Sequence, residues 1–195
     1  TVVLYGGRDS FMDHYMGNNP SRELEQDVYV SGTEIRKSIS KKSVKATEDF
    51  RAGVVWAAHS GYPTCYPTVD IAIFNDDFTK ILLGRKPHEA KFRLIGGFAD
   101  PKSPSYEADA RRETEEEAGI SITDPQYIGS CLVDDWRYRG EVDKIKTMVF
   151  VAKHFSGQPR PGDDIVELRW FDVDSKIEVV DTHVPLLDMV QTWLI

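Results

Sequence analysis

The chain has 195 residues, 41% hydrophobic and 11% aromatic, which is enough apolar material for one well-packed domain and a smaller piece. Asp and Glu outnumber Lys and Arg by 32 to 24, and the net charge of −8 argues against a general nucleic-acid or anionic-membrane surface. Two cysteines without metal-type spacing, no signal peptide and no long apolar run point to a soluble protein of a reducing, cytoplasmic compartment.

In chain order, Thr1 to Tyr5 reads as a strand followed by Gly6-Gly7-Arg8-Asp9-Ser10. Val28 to Val30 reads as another, leading into Ser31-Gly32-Thr33-Glu34-Ile35-Arg36. Small hydroxyl residues and a glycine ahead of a helix form an anion cradle, with Arg36 one turn in; a plain capping box with a surface arginine is the other reading of these residues. Residues 61–68 carry two prolines and read as a linker between a segment 1–60 and a domain 69–195.

The domain opens with a strand over Val69 to Phe74, an Asn-Asp-Asp turn and a strand over Lys80 to Gly84. A third, short apolar run from Phe92 to Ile95 ends at Gly96 and Gly97, where a loop can approach a ligand closely. Phe98 to Ser105, with Pro101 and Pro104, is loop. Ser105 then serves as an N-cap, Glu107 and Asp109 suit the positive end of a helix, and Gly119 ends it. Strands near Tyr127 to Val133, Lys146 to Lys153 and Leu168 to Phe171 follow, with a closing helix near Pro185 to Leu194. The pattern is α+β, a mixed sheet flanked by helices. Trp56, Trp170 and the Met189, Val190 and Trp193 face of the last helix read as core.

The helix after Ser105 carries the chemistry. Glu113, Glu116 and Glu117 stand at i, i+3 and i+4, so three carboxylates share one face. Like charges at that spacing repel, and hard oxygen ligands suit Mg²⁺ or Mn²⁺, which would turn the repulsion into a metal site. A solvated acidic face is the alternative. Arg112, four residues before Glu116, is placed to hold it.

The run Arg112-Glu113-Thr114-Glu115-Glu116-Glu117-Ala118-Gly119-Ile120, with Gly97 upstream, resembles the Nudix box, G-x5-E-x7-R-E-U-x-E-E-x-G-U, where U is bulky and apolar. Within the second half only Thr114 departs. In the first half Gly97 and Arg112 are one residue further apart than in the box, and Ser103 or Pro104 falls where its first glutamate belongs. The resemblance implies a Nudix-type helix, sheet and helix sandwich, and Mg²⁺ or Mn²⁺ held by Glu113, Glu116 and Glu117, which bind diphosphate oxygens and activate a water. It also implies a general base on a loop before the late strand, with Asp163, Asp164 and Glu167 as candidates left unranked.

Substrate contacts are expected from Arg85 and Arg93, whose guanidinium forks suit phosphate oxygens, from Gly97 and Phe98, and from Trp136 and Tyr138 in the loop Asp134-Asp135-Trp136-Arg137-Tyr138. Each has a plain surface role as its alternative.

The N-terminal segment resembles the I-S-x-T-x-x-R motif of nicotinamide mononucleotide adenylyltransferases, with Ser31, Thr33 and Arg36 at the residues that hold ATP phosphates. Their early histidine motif is absent, since the histidines at 14, 59, 88, 154 and 183 are isolated. With no initiating methionine and a first residue already in a strand, segment 1–60 is expected to be the C-terminal fragment of an α/β adenylyltransferase domain. The pair resembles bifunctional adenylyltransferase and ADP-ribose pyrophosphatase proteins. That implies cleavage of ADP-ribose to AMP and ribose 5-phosphate, linked to NAD metabolism, by a cytoplasmic enzyme without nucleic-acid or membrane partners, with a homodimer left open. Hydrolysis of a nucleoside triphosphate or another dinucleotide, a non-catalytic nucleotide sensor, and a nucleotidyltransferase acting through the N-terminal part are the alternatives.

Overall fold

The computed structural model describes residues 2–6, 14–24, 32–42, 45 and 47–195. The chain divides into two compact units, Thr1–Gly61 and Tyr62–Ile195. In the first, strand β1 (Leu4–Gly6) pairs in parallel with β2 (Ser21–Glu23), and helices α1 (Gly32–Ser40) and α2 (Glu48–Ser60) follow. Thr47 caps α2 by accepting the Phe50 N–H at 3.2 Å. The strand expected at Val28 to Val30, residues Gly7 to Ser10 and Ser31 lie outside the described residues. Trp56, expected in the core, is instead 71% exposed on α2, a helix that the apolar run around it did not announce.

The second unit is a sheet packed between two helices. Its strands are β3 (Cys65–Phe74), β4 (Lys80–Arg85), β5 (Ile95–Phe98), β6 (Ser121–Ile122), β7 (Gln126–Val133), β8 (Lys144–Ser156) and β9 (Glu167–Asp172). The order β6-β8-β3-β4-β9 forms the main path, with β5 on β3 and β7 on β8. β3 and β8 run parallel over ten residue pairs, Cys65↔Lys144 to Phe74↔Lys153, and the other pairings are antiparallel, so the sheet is mixed. β3 already starts at Cys65, so pairing with β8 occupies the second half of the stretch read as linker.

Alternation along the buried strands divides the core in two. Val69, Ile71 and Ile73 join Ile95 and Phe150 under Ala110 and Ala118 of helix α3 (Tyr106–Ala118). Ala72, Phe74, Leu83 and Val149 face Leu186, Leu187 and Val190 of helix α4 (Val184–Leu194) on the other side. Met189 and Trp193 pack here and Trp170 packs on the α3 side, all as expected. No helix among the described residues is long and apolar enough to cross a membrane.

The α3 boundaries follow from its sequence. The Ser105 hydroxyl accepts the Ala108 N–H at 3.2 Å, and Gly119 turns left-handed at φ 65° while its N–H closes on Glu115. Thr114, the polar residue at an apolar position, is fully buried and returns its hydroxyl proton to the Ala110 carbonyl at 2.8 Å.

One correction concerns the glycine pair. Gly96 and Gly97 lie within β5 rather than after its end, in register with Asp70 and Val69 of β3. A Cβ on Gly96 would stand 2.0 Å from the Val69 carbonyl oxygen at φ +154°, so the tight apposition of β5 to β3 requires glycine there. Gly96→Ala is expected to destabilise the unit by about 2 to 4 kcal/mol, measured by urea unfolding.

Candidate active site

β5 and α3 place the acidic residues against the glycine pair. Glu117 is 2% exposed, and one of its oxygens accepts the Gly96 N–H at 2.9 Å. Glu113, also buried, lies across from Gly97, where a Cβ would come within 2.7 Å of its carboxylate. Glu116 is the third acid of the face and is exposed.

Arg112 ties this face together. Its guanidinium reaches Asp109 (3.0 Å), Glu113 (2.8 Å) and Glu116 (2.7 Å) and donates to the Phe98 carbonyl (2.9 Å). Asp109, almost fully buried, also accepts the Asp100 N–H at 3.1 Å and so couples the loop before the helix to the arginine. This support for Arg112 comes from inside the helix, one turn before it, at a position that sequence reasoning assigned only to the helix dipole.

The loop after β8 brings further acids. Its backbone docks on the C-terminal end of α3, with Arg160 N–H donating to the Ala118 carbonyl (2.9 Å) and Gly162 N–H to the Glu117 carbonyl (3.0 Å). Glu117, Asp163 and Asp164 thereby offer oxygens within 4.8 Å of one another. Lys86, just past β4, enters the same cluster, 2.5 Å from Asp164 and 3.7 Å from Glu117. The oxygens of Glu117, which is buried, and of Asp163 and Asp164, which are exposed, are of the kind that a hard divalent cation such as Mg²⁺ or Mn²⁺ takes as ligands. The sequence showed Asp163 and Asp164 as base candidates but not their meeting with Glu117, which depends on the loop folding back on the helix end; Lys86 escaped notice altogether.

The remaining candidates occupy several places. Glu167 points into an ion pair with Arg85 (2.7 Å) and touches Arg169, and these contacts, the Arg85 hydrogen bond first, hold its carboxyl below the ordinary range. Arg85 also donates to the Glu89 carbonyl at 3.3 Å. Arg93 lies between Glu89 (3.3 Å) and the His183 ring (3.0 Å). Phe98 is covered in part by the Arg137 guanidinium, 5.6 Å from its ring centre, and Arg137 is held by Asp135. Tyr138 packs on Tyr66, while Trp136 is exposed. A cavity of about 480 Å³ opens beyond β5, lined by Tyr66, Phe98, Asp100, Pro101, Pro104 and Tyr106 among others, a size that admits a small organic group. In the first unit, Thr33 and Arg36 meet on the opening turns of α1, the Arg36 guanidinium donating to the Thr33 hydroxyl at 3.3 Å.

Burial sets the electrostatics. Removal from water pushes Glu117 up to about 8, against the opposing pull of the Gly96 N–H and of Lys86, and raises Glu113 against the pull of Arg112. A folded carboxyl that holds its proton above the ordinary 4.5 contributes stability that is complete below that value and is lost as pH climbs through about 8. The metal-free chain is therefore expected to lose thermal stability between pH 5 and 8, and Glu117→Gln is expected to flatten that slope in a calorimetric series.

Three comparisons describe what the chain is similar to. The NUDIX domain family matches residues 66–188. The NAD-capped RNA hydrolase NudC of Vibrio atlanticus is 30% identical over 121 residues, which are 60% of this chain and 41% of that protein. The chain thus spans about two fifths of that relative's length. The MutT NUDIX hydrolase of Burkholderia pseudomallei superposes with a TM-score of 0.54 at 27% identity over 65% of this chain and 98% of its own. The NUDIX domain of Shewanella oneidensis NrtR, solved with ADP ribose, superposes with a TM-score of 0.57 at 16% identity over 76% of this chain and all of its own, a likeness of fold.

Proposed function

We propose that this chain, which belongs to the Nudix hydrolase family, cleaves the diphosphate of ADP-ribose to AMP and ribose 5-phosphate. The observation that carries the reading is the meeting of Glu117, held by the Gly96 N–H, with Asp163 and Asp164, while Glu113 stands beside Gly97 under Arg112. Glu113, Glu116 and Glu117 would hold Mg²⁺ or Mn²⁺, with Asp163 joining Glu117 and Asp164 kept for proton transfer. Once bound, the cations would neutralise diphosphate charge and lower the pKa of a coordinated water.

The chain's own groups do the rest. Arg112 neutralises and orients Glu113 and Glu116. The Gly96 N–H fixes one Glu117 oxygen and leaves the other turned toward Lys86. Lys86 and Arg93 bring positive charge to the rim that an anionic substrate must cross. Asp164, exposed on a loop and paired with Lys86, is the better-placed proton acceptor, whereas Glu167 is engaged by two arginines. The cavity beside Phe98 and the exposed Trp136 offer surfaces for the organic halves of the substrate.

A second reading has support of its own. Relatives named as NAD-capped RNA hydrolases favour the diphosphate of NAD, free or as an RNA cap, as the bond that is cut. Both substrates carry an ADP half and yield AMP from the free nucleotide, so the second product separates them. We attach to residues 1–60 the reading of an adenylyltransferase fragment, supported by the Thr33 and Arg36 contact at the start of α1.

With Mg²⁺, the chain is expected to release AMP and ribose 5-phosphate from ADP-ribose in a chromatographic assay. Appearance of nicotinamide mononucleotide from NAD, with ADP-ribose left intact, selects the second reading. Glu117→Gln is expected to lower kcat by about a hundredfold or more with the circular dichroism of the wild type. Asp164→Asn is expected to lower kcat by ~10²- to 10⁴-fold if it takes the proton, and Glu167→Gln far less.

A further inference from the structure

The cavity beyond β5 has a chemistry of its own, which bond cleavage does not use. Tyr66, Phe98 and Tyr106 bring rings to its wall, and Pro101 and Pro104 add further apolar surface. None of the residues lining it is Lys, Arg or His, and two, Asp100 and Asp109, carry carboxylates. The positive end of α3, which opens here, is already answered: the Ser105 hydroxyl accepts the Ala108 N–H at 3.2 Å, and Glu107 and Asp109 stand in the first turn. A terminal phosphate therefore meets no cationic partner on this wall, whereas a flat uncharged ring meets other rings.

Asp109 gives that wall a direction. It is 2% exposed, and both hydrogen bonds to its carboxylate fall on one oxygen: Oδ1 accepts the Asp100 N–H at 3.1 Å and an Arg112 guanidinium N–H at 3.0 Å. Among the described residues no donor bonds to Oδ2. Arg112 Nε is the one side-chain atom among them that is both sealed from solvent and unpartnered, so Oδ2 stays open, and the cavity is the opening beside it. Other polar groups of the wall are engaged with the protein: Ser103 donates to the Ser105 carbonyl at 3.1 Å, Asp100 accepts the Lys102 N–H at 2.9 Å, and Tyr66 donates to Asp143 at 3.4 Å. A carboxylate oxygen this deep requires a donor, and here the donor comes from what enters the cavity.

We infer that Asp109 Oδ2 accepts a hydrogen bond from an exocyclic amino group on the base of the nucleotide, whose ring lies against the aromatic wall of this cavity. The ligand class is a flat nitrogen heterocycle bearing an amino group, as adenine does on its ring and nicotinamide does in its amide. A base that turns a carboxylate to the same place meets a like charge, and one without the amino group leaves Oδ2 unmatched. The same side chain holds Arg112 through Oδ1, so base recognition and the acidic face share one residue. The inference rests on a nucleotide being the substrate and names the half of it that this cavity holds.

Calorimetry on the whole chain with Mg²⁺ compares two pairs of mononucleotides, which lack the diphosphate and are not turned over. AMP is set against purine riboside 5′-monophosphate, which lacks the amino group, and nicotinamide mononucleotide against nicotinic acid mononucleotide, which carries a carboxylate in place of the amide. In at least one pair the amino-bearing member is expected to bind about tenfold or more tightly than its partner, and that pair names the base. Asp109→Ala is expected to bring the two members of that pair to equal affinity, a ratio that a general weakening of the site would leave as it was. Tyr106→Ala, on the exposed first turn of α3, is expected to weaken the favoured mononucleotide severalfold and to leave ribose 5-phosphate binding unchanged. Equal affinity within both pairs on the wild type, no binding of either amino-bearing nucleotide, or a wild-type ratio in Asp109→Ala overturns the inference. Should Asp109→Ala fail to fold, the wild-type pairs and Tyr106→Ala decide, and full affinity in Tyr106→Ala overturns it. If the amino group is read while neither ADP-ribose nor NAD is cut, the hydrolase reading fails and this one stands.

Discussion

The site depends on keeping two carboxylates out of water, one beside the Arg112 guanidinium and the other beside a backbone N–H and Lys86. Glu113 and Glu117 are buried beside a strand that carries no side chain at the point of contact. Isolated buried carboxylates would cost several kcal/mol each, and they are tolerable because Arg112 leans on one and a backbone N–H and Lys86 on the other. The glycines, the helix and the arginine are thus one device. Gly97 makes room for Glu113, Gly96 lets β5 lie against β3 and donates to Glu117, and Arg112 spans from the strand's last carbonyl to three acids of the helix.

That device was legible in the sequence because its parts are local. Helical spacing predicts which glutamates share a face, Ser105 and Gly119 mark the helix ends, and the Arg-Glu-x-x-Glu-Glu-x-Gly run identifies the family that the domain match establishes. The central strands were readable as apolar runs because β3, β4 and β8 are covered on both faces. Parts that depend on distant contacts were not readable. Lys86 and Asp164 are 78 residues apart and meet only because the loop after β8 returns to the helix end. His183 looked isolated because its partners, Leu94 and Arg93, are 89 and 90 residues away. Trp56 misled for another reason: its sequence neighbours are apolar, yet every residue of α2 is exposed.

Departures from the box have structural answers of unequal completeness. Thr114 is accommodated at an apolar position because its hydroxyl finds a carbonyl one turn back, so the core pays no penalty for an unmatched polar group. Asp109 supplies an acidic partner for Arg112 from within the helix. The longer spacing between Gly97 and Arg112 is taken up by a loop stiffened with Pro101 and Pro104, and the cavity beside Phe98 opens along it. A change of loop length at that point therefore alters the room for a ligand's organic part while the acids keep their places.

The loop from Gly157 to Ile165 is fixed by two jobs at once. It terminates α3 and presents Asp163 and Asp164 with the same few peptide groups, and a Cβ on Gly162 would collide with the Glu116 carbonyl at 2.2 Å. Ordinary surface loops drift freely in length over evolutionary time. This one cannot: adding or deleting a residue would unlatch the helix terminus and misplace the aspartates together, so among descendants of this chain its length should be as constrained as the acidic residues themselves.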